Sequence, residues 1–157
     1  CSSDLDSYSS LLDDVVRKPG LTAEERLKLV IILCLDDTAS KRTTHLFIEL
    51  WALANHNMFV ADRVRAFYER VHAVIGGYVA TINPALSADD VHSVALFISA
   101  TMEGATPLLG HGRPWADKMP VFTALAVQSL VSLARTVTPR DIAALAPAPA
   151  PRVLEPA

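Results

Sequence analysis

Apolar residues recur along this chain at spacings of three and four, with polar residues between them. That period sets one face of an α-helix against a core. Leu5, Tyr8, Leu12, Val15 and Val16 share such a face, so a first helix is expected over about residues 4–18, stopped by Pro19-Gly20. Thr22-Ala23-Glu24-Glu25 has the form of a capping box: the Thr22 hydroxyl accepts from the backbone three residues on, and Glu25 reaches back. The helix it opens is expected to end near Leu35. It is apolar nearly all round from Leu29 onward, which predicts a central position. A third helix is expected over about 40–56, with Phe47, Leu50, Trp51 and Ala54 as its buried stripe. Asn57 is a suitable N-cap for a fourth, over about 58–81, whose apolar face is Val60, Val64, Phe67, Val71, Ile75 and Tyr78. Gly76-Gly77, near its end, suits a kink or a close helix contact. Ser87-Ala88-Asp89-Asp90 opens a fifth helix, expected to run to about Leu109. A loop with Gly110, Gly112, Pro114 and Pro120 follows, then a last main helix over about 119–135. Thr138-Pro139 should cap a short turn.

No alternating pattern is long enough for a strand, and residues 21–75 contain neither Gly nor Pro. The fold expected is all-α, a bundle of about six main helices. At 157 residues the chain suits one domain with a real core. The net charge of −3 argues against this chain being the part that grips nucleic acid. Its two cysteines, Cys1 and Cys34, make no disulfide framework, and a reducing, cytoplasmic setting is expected. The longest uncharged run, Met119 to Ala134, falls short of the roughly 20 apolar residues of a membrane span. No membrane partner is expected.

Two helices, around 93–102 and 119–134, carry no charge. A surface helix of a monomer should show a polar face. Either both are core, or they pair with their copies in a second subunit as a four-helix interface about a two-fold axis. The homodimer is the reading adopted.

The chemistry-bearing residues point away from an enzyme. His45, Glu49 and His56 share a helix face, and Glu69 to His72 forms one Glu-x-x-His. Carboxylate-bridged metal bundles use that motif twice, so no metal site is expected. There is no Gly-x-Ser-x-Gly nucleophile motif and no Gly-rich phosphate loop, so neither a catalytic residue nor a cofactor is indicated. Aromatic and soft residues in the middle helices are the better lead. Each is core by default, but large aromatics leave gaps where helices splay, and an apolar gap with a few polar groups takes a small molecule. Tyr68 and His72 lie one turn apart at the edge of an apolar face, and Trp51 offers a flat wall with one N–H donor.

The stretch from Thr43 to Ile75 carries a resemblance. Glu49-Leu50-Trp51-Ala52-Leu53-Ala54 ends a helix, His56-Asn57 makes a capped turn, and a long amphipathic helix starts at Met58. Together with the capped helix Ser87 to Gly110 and the apolar helix Val121 to Arg135, this order resembles the C-terminal domain of TetR-family transcriptional regulators. The resemblance spans about Leu21 to Arg135. It implies a ligand-sensing, dimerising regulatory domain, most simply of a repressor, whose DNA affinity changes with a small hydrophobic or aromatic effector. Operator DNA would be met only through an N-terminal helix-turn-helix domain absent from this chain. On that reading residues 1–137 form the ligand-binding and dimerisation domain. Residues 1–18 are the remainder of the linking helix, and 138–157 are a short turn and an Ala/Pro-rich, disordered tail. Phe47, Trp51, Tyr68, His72, Phe97 and Met102 are the pocket-lining residues expected. The rival readings are a helical protein-interaction module without a pocket and a carboxylate/histidine metal-binding bundle.

Overall fold

The computed structural model describes residue 10 and residues 12–145. Among them are seven α-helices and no strand: α1 Ala23–Thr38, α2 Lys41–Ala54, α3 Met58–Ile82, α4 Ala88–Glu103, α5 Thr106–Leu109, α6 Met119–Thr136 and α7 Pro139–Leu145. Residues 12–17 are helical as well, within the first helix expected. The tail 146–157, Cys1 and the start of that first helix lie outside the described residues.

The helices begin where side chains satisfy their first backbone donors. Glu25 N–H donates to Thr22 Oγ1 at 3.2 Å, and Thr22 N–H donates to the Glu25 carboxylate at 2.7 Å. The Thr22 N–H, together with the Thr22 hydroxyl donating to the same oxygen at 2.9 Å, holds the Glu25 carboxyl below its usual range. Ser87 and Asp90 make the same reciprocal pair at 3.1 and 3.2 Å. Ser40 caps α2, and Asn57 caps α3.

The long fifth helix expected is two helices. Pro107 has no N–H to bond the Glu103 carbonyl four residues back, and its ring collides with that carbonyl. So α4 stops at Glu103, and a separate turn, α5, begins at Thr106. The short turn expected after Thr138 is the two-turn helix α7, opened by a Thr138–Asp141 capping pair at 3.0 and 3.1 Å.

The near-continuous apolarity of α1 is used: Leu27, Val30, Ile31 and Leu35 are buried, with α2, α3 and α6 packed around it. α3 packs most extensively on α4. Gly76 makes this crossing close, because a Cβ there would sit 3.5 Å from Val91 Cγ1 and 3.9 Å from Ala95 Cβ. α3 runs through both glycines without interruption. Buried Asn83, just past α3, donates from Nδ2 to the carbonyls of Ala134 at 3.1 Å and Val137 at 2.8 Å. It thereby satisfies backbone acceptors at the end of α6. Gly110 is fixed by a close approach: a Cβ would lie 2.5 Å from the Thr106 carbonyl oxygen and 2.6 Å from Thr44 Oγ1. That hydroxyl donates to Thr38 O at 2.8 Å and accepts from His111 N–H at 2.8 Å.

Residues 12–17 are tied down by two arginines. Arg26 of α1 donates to the carbonyls of Val15, Val16 and Lys18. Arg70 of α3 holds Asp13 with both carboxylate oxygens, at 3.0 and 2.9 Å. No single described helix is long and apolar enough to cross a membrane.

Candidate functional site: an aromatic row ending on a buried carboxyl

α2 and α3 bring Trp51 and Tyr68 together: Trp51 Nε1 donates to the Tyr68 hydroxyl at 2.9 Å. The same hydroxyl hydrogen-bonds Glu103, the last residue of α4. Three helices thus meet in one polar chain. Glu103 as a whole residue is only partly covered, but its carboxyl end is desolvated. Burial pushes that carboxyl up from the usual 4.5 to about 7, against the pull of the Tyr68 hydrogen bond. Burial and then the Glu103 charge push the Tyr68 hydroxyl well above its ordinary value. The position at a helix C-terminus adds to the cost of ionising Glu103, since the carbonyl dipoles there already present negative charge.

Aromatic rings wall this chain. Phe47 lies 6.1 Å from Trp51 and 5.9 Å from Phe67, centroid to centroid. Phe67 meets Tyr68 edge-on at 5.2 Å. Tyr68 stacks on His72 at 6.1 Å, and His72 meets His92 of α4 edge-on at 6.1 Å. Beyond them a groove of about 360 Å³ opens between α3 and α4, lined by Glu69, His72, Ala73, Gly76, Ala88, Val91 and His92. Burial, and then the neighbouring His92, draw His72 below its ordinary value.

Of the six residues expected to line a pocket, Phe47, Trp51, Tyr68 and His72 lie in one row. Met102 is buried in the core at the position before Glu103. Phe97 lies elsewhere: it is 56% exposed. Six positions before Glu103, at about 100° per residue, it points about 120° away round the helix. There it lines a second, almost wholly apolar groove of about 410 Å³ with Ser93, Val94, Leu133, Val137, Ile142 and Leu145. Glu103 was not among the residues expected. The signal was present, for it is the one Asp, Glu, Lys or Arg between Asp90 and Arg113. His45, Glu49 and His56 are all exposed, and no group of three or more His, Cys, Asp or Glu among the described residues is placed to hold a metal ion.

The arrangement offers a flat apolar wall, an indole N–H, a phenol and a carboxyl that changes charge near neutrality. Those are the parts of a small-molecule site between helices. Comparison with protein families matches residues 23–132 to the C-terminal domain of BetI-type transcriptional repressors. Comparisons with curated proteins and with solved structures return no match. The matched residues make up more than two thirds of the chain and run from the start of α1 nearly to the end of α6. The chain therefore belongs to the TetR family of transcriptional regulators, as a C-terminal domain of the BetI type.

Proposed function

We propose that this domain senses a small, largely hydrophobic or aromatic effector and passes the signal on as a homodimer. The observation that carries the reading is the Trp51–Tyr68–Glu103 chain. It is a run of polar groups set among aromatic rings where three helices meet, in a domain of a repressor family. A core built only for stability would place apolar groups there, since a desolvated carboxyl is costly. The effector would lie against Trp51 and Phe47 and exchange hydrogen bonds with Tyr68 and Glu103.

Dimerisation is supported by the outer faces of α4 and α6. Leu96 and Phe97 on α4, and Val121 and Leu125 on α6, are all about half exposed or more. Large apolar side chains exposed on two helices are the kind of surface a partner covers. A two-fold dimer through α4 and α6 covers it.

Signalling requires two dimer geometries. DNA-reading heads carried on the N-terminal side must stand about one helical turn of DNA apart to engage both half-sites. An effector that favours the other geometry releases the DNA, by no more than its differential affinity for the two states. The route outward is short: α3 carries Tyr68 and, two residues on, Arg70, which grips Asp13.

Native mass spectrometry of the purified chain tests both parts. A dimer mass with a bound small molecule, lost in Trp51→Ala, is the expected result. A bare monomer at micromolar concentration overturns the dimer. An adduct retained by Trp51→Ala, or no molecule retained and none found in a thermal-shift screen of hydrophobic compounds, overturns the effector site.

A further inference from the structure

We propose that His72 and His92 form a proton-responsive element across the α3–α4 crossing, which moves Tyr68 and makes the Trp51–Glu103 site answer to acidification. This deepens the effector reading given above by naming a regulation of the same site. Its test needs no effector.

The two imidazoles stand on different helices, ring centroids 6.1 Å apart, at the most extensive helix contact in the fold. As neutral rings they meet edge to face, which is favourable. Protonated together they bring two like charges onto facing helices. His72 is half-buried, so its charged form also loses hydration. The offsetting charges are surface ones: Asp89, one turn before His92 on α4, is exposed. The titratable groups near His72 are Tyr68 and Glu69 on its own helix and His92 on α4; the rest of the groove wall is Ala73, Gly76, Ala88 and Val91. Glu69 is exposed, so its attraction is screened by water and salt.

His72 connects to the site through Tyr68, on which it stacks at 6.1 Å. Tyr68 has little freedom of its own, because its hydroxyl is held by Trp51 and Glu103. A shift of His72 away from His92 therefore loads the Tyr68 ring and the hydrogen bonds at its tip. The two ends of the row respond to protons with opposite sign. Glu103 loses its negative charge as pH falls, and the histidines gain positive charge. Acidification thus turns the row from negative to positive, which alters the fit of any charged or polar effector.

The test uses the chain with Trp115→Phe, leaving Trp51 as its one tryptophan. Indole emission is followed from pH 8.5 to pH 5, with circular dichroism to separate local change from unfolding. The expected result is two steps. Glu103→Gln removes the upper one, and His72→Gln removes the lower one. His92→Gln moves the lower step up, because no neighbouring imidazole then opposes a charge on His72. His92 is exposed, so this variant serves if His72→Gln fails to fold. A lower step unchanged in midpoint and amplitude in His92→Gln overturns the inference. So does a curve with no lower step at all. Two steps in a chain that binds no effector sustain the proton-responsive element while sinking the effector reading.

Discussion

Replacing Glu103 by Gln keeps the side chain's shape and removes its charge. In the folded chain burial raises this carboxyl from the usual 4.5 to about 7. At about 1.4 kcal/mol per pH unit, the folded state loses up to about 3 kcal/mol when the group ionises. The folded pKa lies above the unfolded one, so the folded state binds this proton more tightly. The stabilisation is complete below about pH 4.5, declines as pH rises, and is gone above about pH 7. Glu103→Gln abolishes that decline. Urea unfolding followed by far-ultraviolet circular dichroism at pH 4.5, 6 and 8 measures it. The variant should gain on the parent steadily from pH 4.5 to pH 8, by a total approaching 3 kcal/mol. Stability curves that run parallel across this range would refute the reasoning, for they would mean that the carboxyl is not held in a desolvated place. His72 carries the opposite sign: its folded pKa is lowered, so its contribution is full above its ordinary 6.5 and declines as pH falls below that value.

Three further outcomes follow from the packing. Gly110→Ala places a methyl group 2.5 Å from the Thr106 carbonyl oxygen and 2.6 Å from Thr44 Oγ1. It should cost about 2–3 kcal/mol in chemical denaturation, and a parental midpoint would contradict the close approach. Asn83→Ala strips two carbonyls at the end of α6 of their donor and should cost about 2 kcal/mol, while Asn83→Asp, which cannot donate, should do no better. Leu125→Glu puts a charge on the outer face of α6 and should leave the chain folded but monomeric by sedimentation velocity; a dimer that survives it would move the interface elsewhere.

The helices were legible because their signals are local. Thr22, Asn57 and Ser87 each announce a helix start within four residues, and the apolar stripes of α1 and α3 say which side turns inward. The family was legible for a related reason: it resides in the order of such elements. What escaped was set by single residues acting at a distance. Pro107 ends α4 four residues upstream of itself, which a scan for local stops places at Gly110 instead. Phe97 reads as interior in an uncharged stretch, but the stretch has an outer side, and its rotational setting relative to Glu103 sends it there. Trp51, Tyr68 and His72 stand out in the sequence as aromatic groups with polar tips. Glu103 was missed because a lone charge near a helix end looks like surface, and only the meeting of α2, α3 and α4 desolvates it.

The two arginines that hold residues 12–17 differ in kind, and they answer differently to dissolved salt. Arg70 grips Asp13 as an ion pair at the surface, with both partners in reach of water, so dissolved salt weakens it. Arg26 binds neutral backbone carbonyls at the segment's far end, and there is no opposing charge for salt to screen. Rising ionic strength therefore slackens one tether and spares the other. The segment itself stays seated, because Leu12 and Val15 are buried in the core; what salt loosens is the outer edge, where Asp13 meets α3.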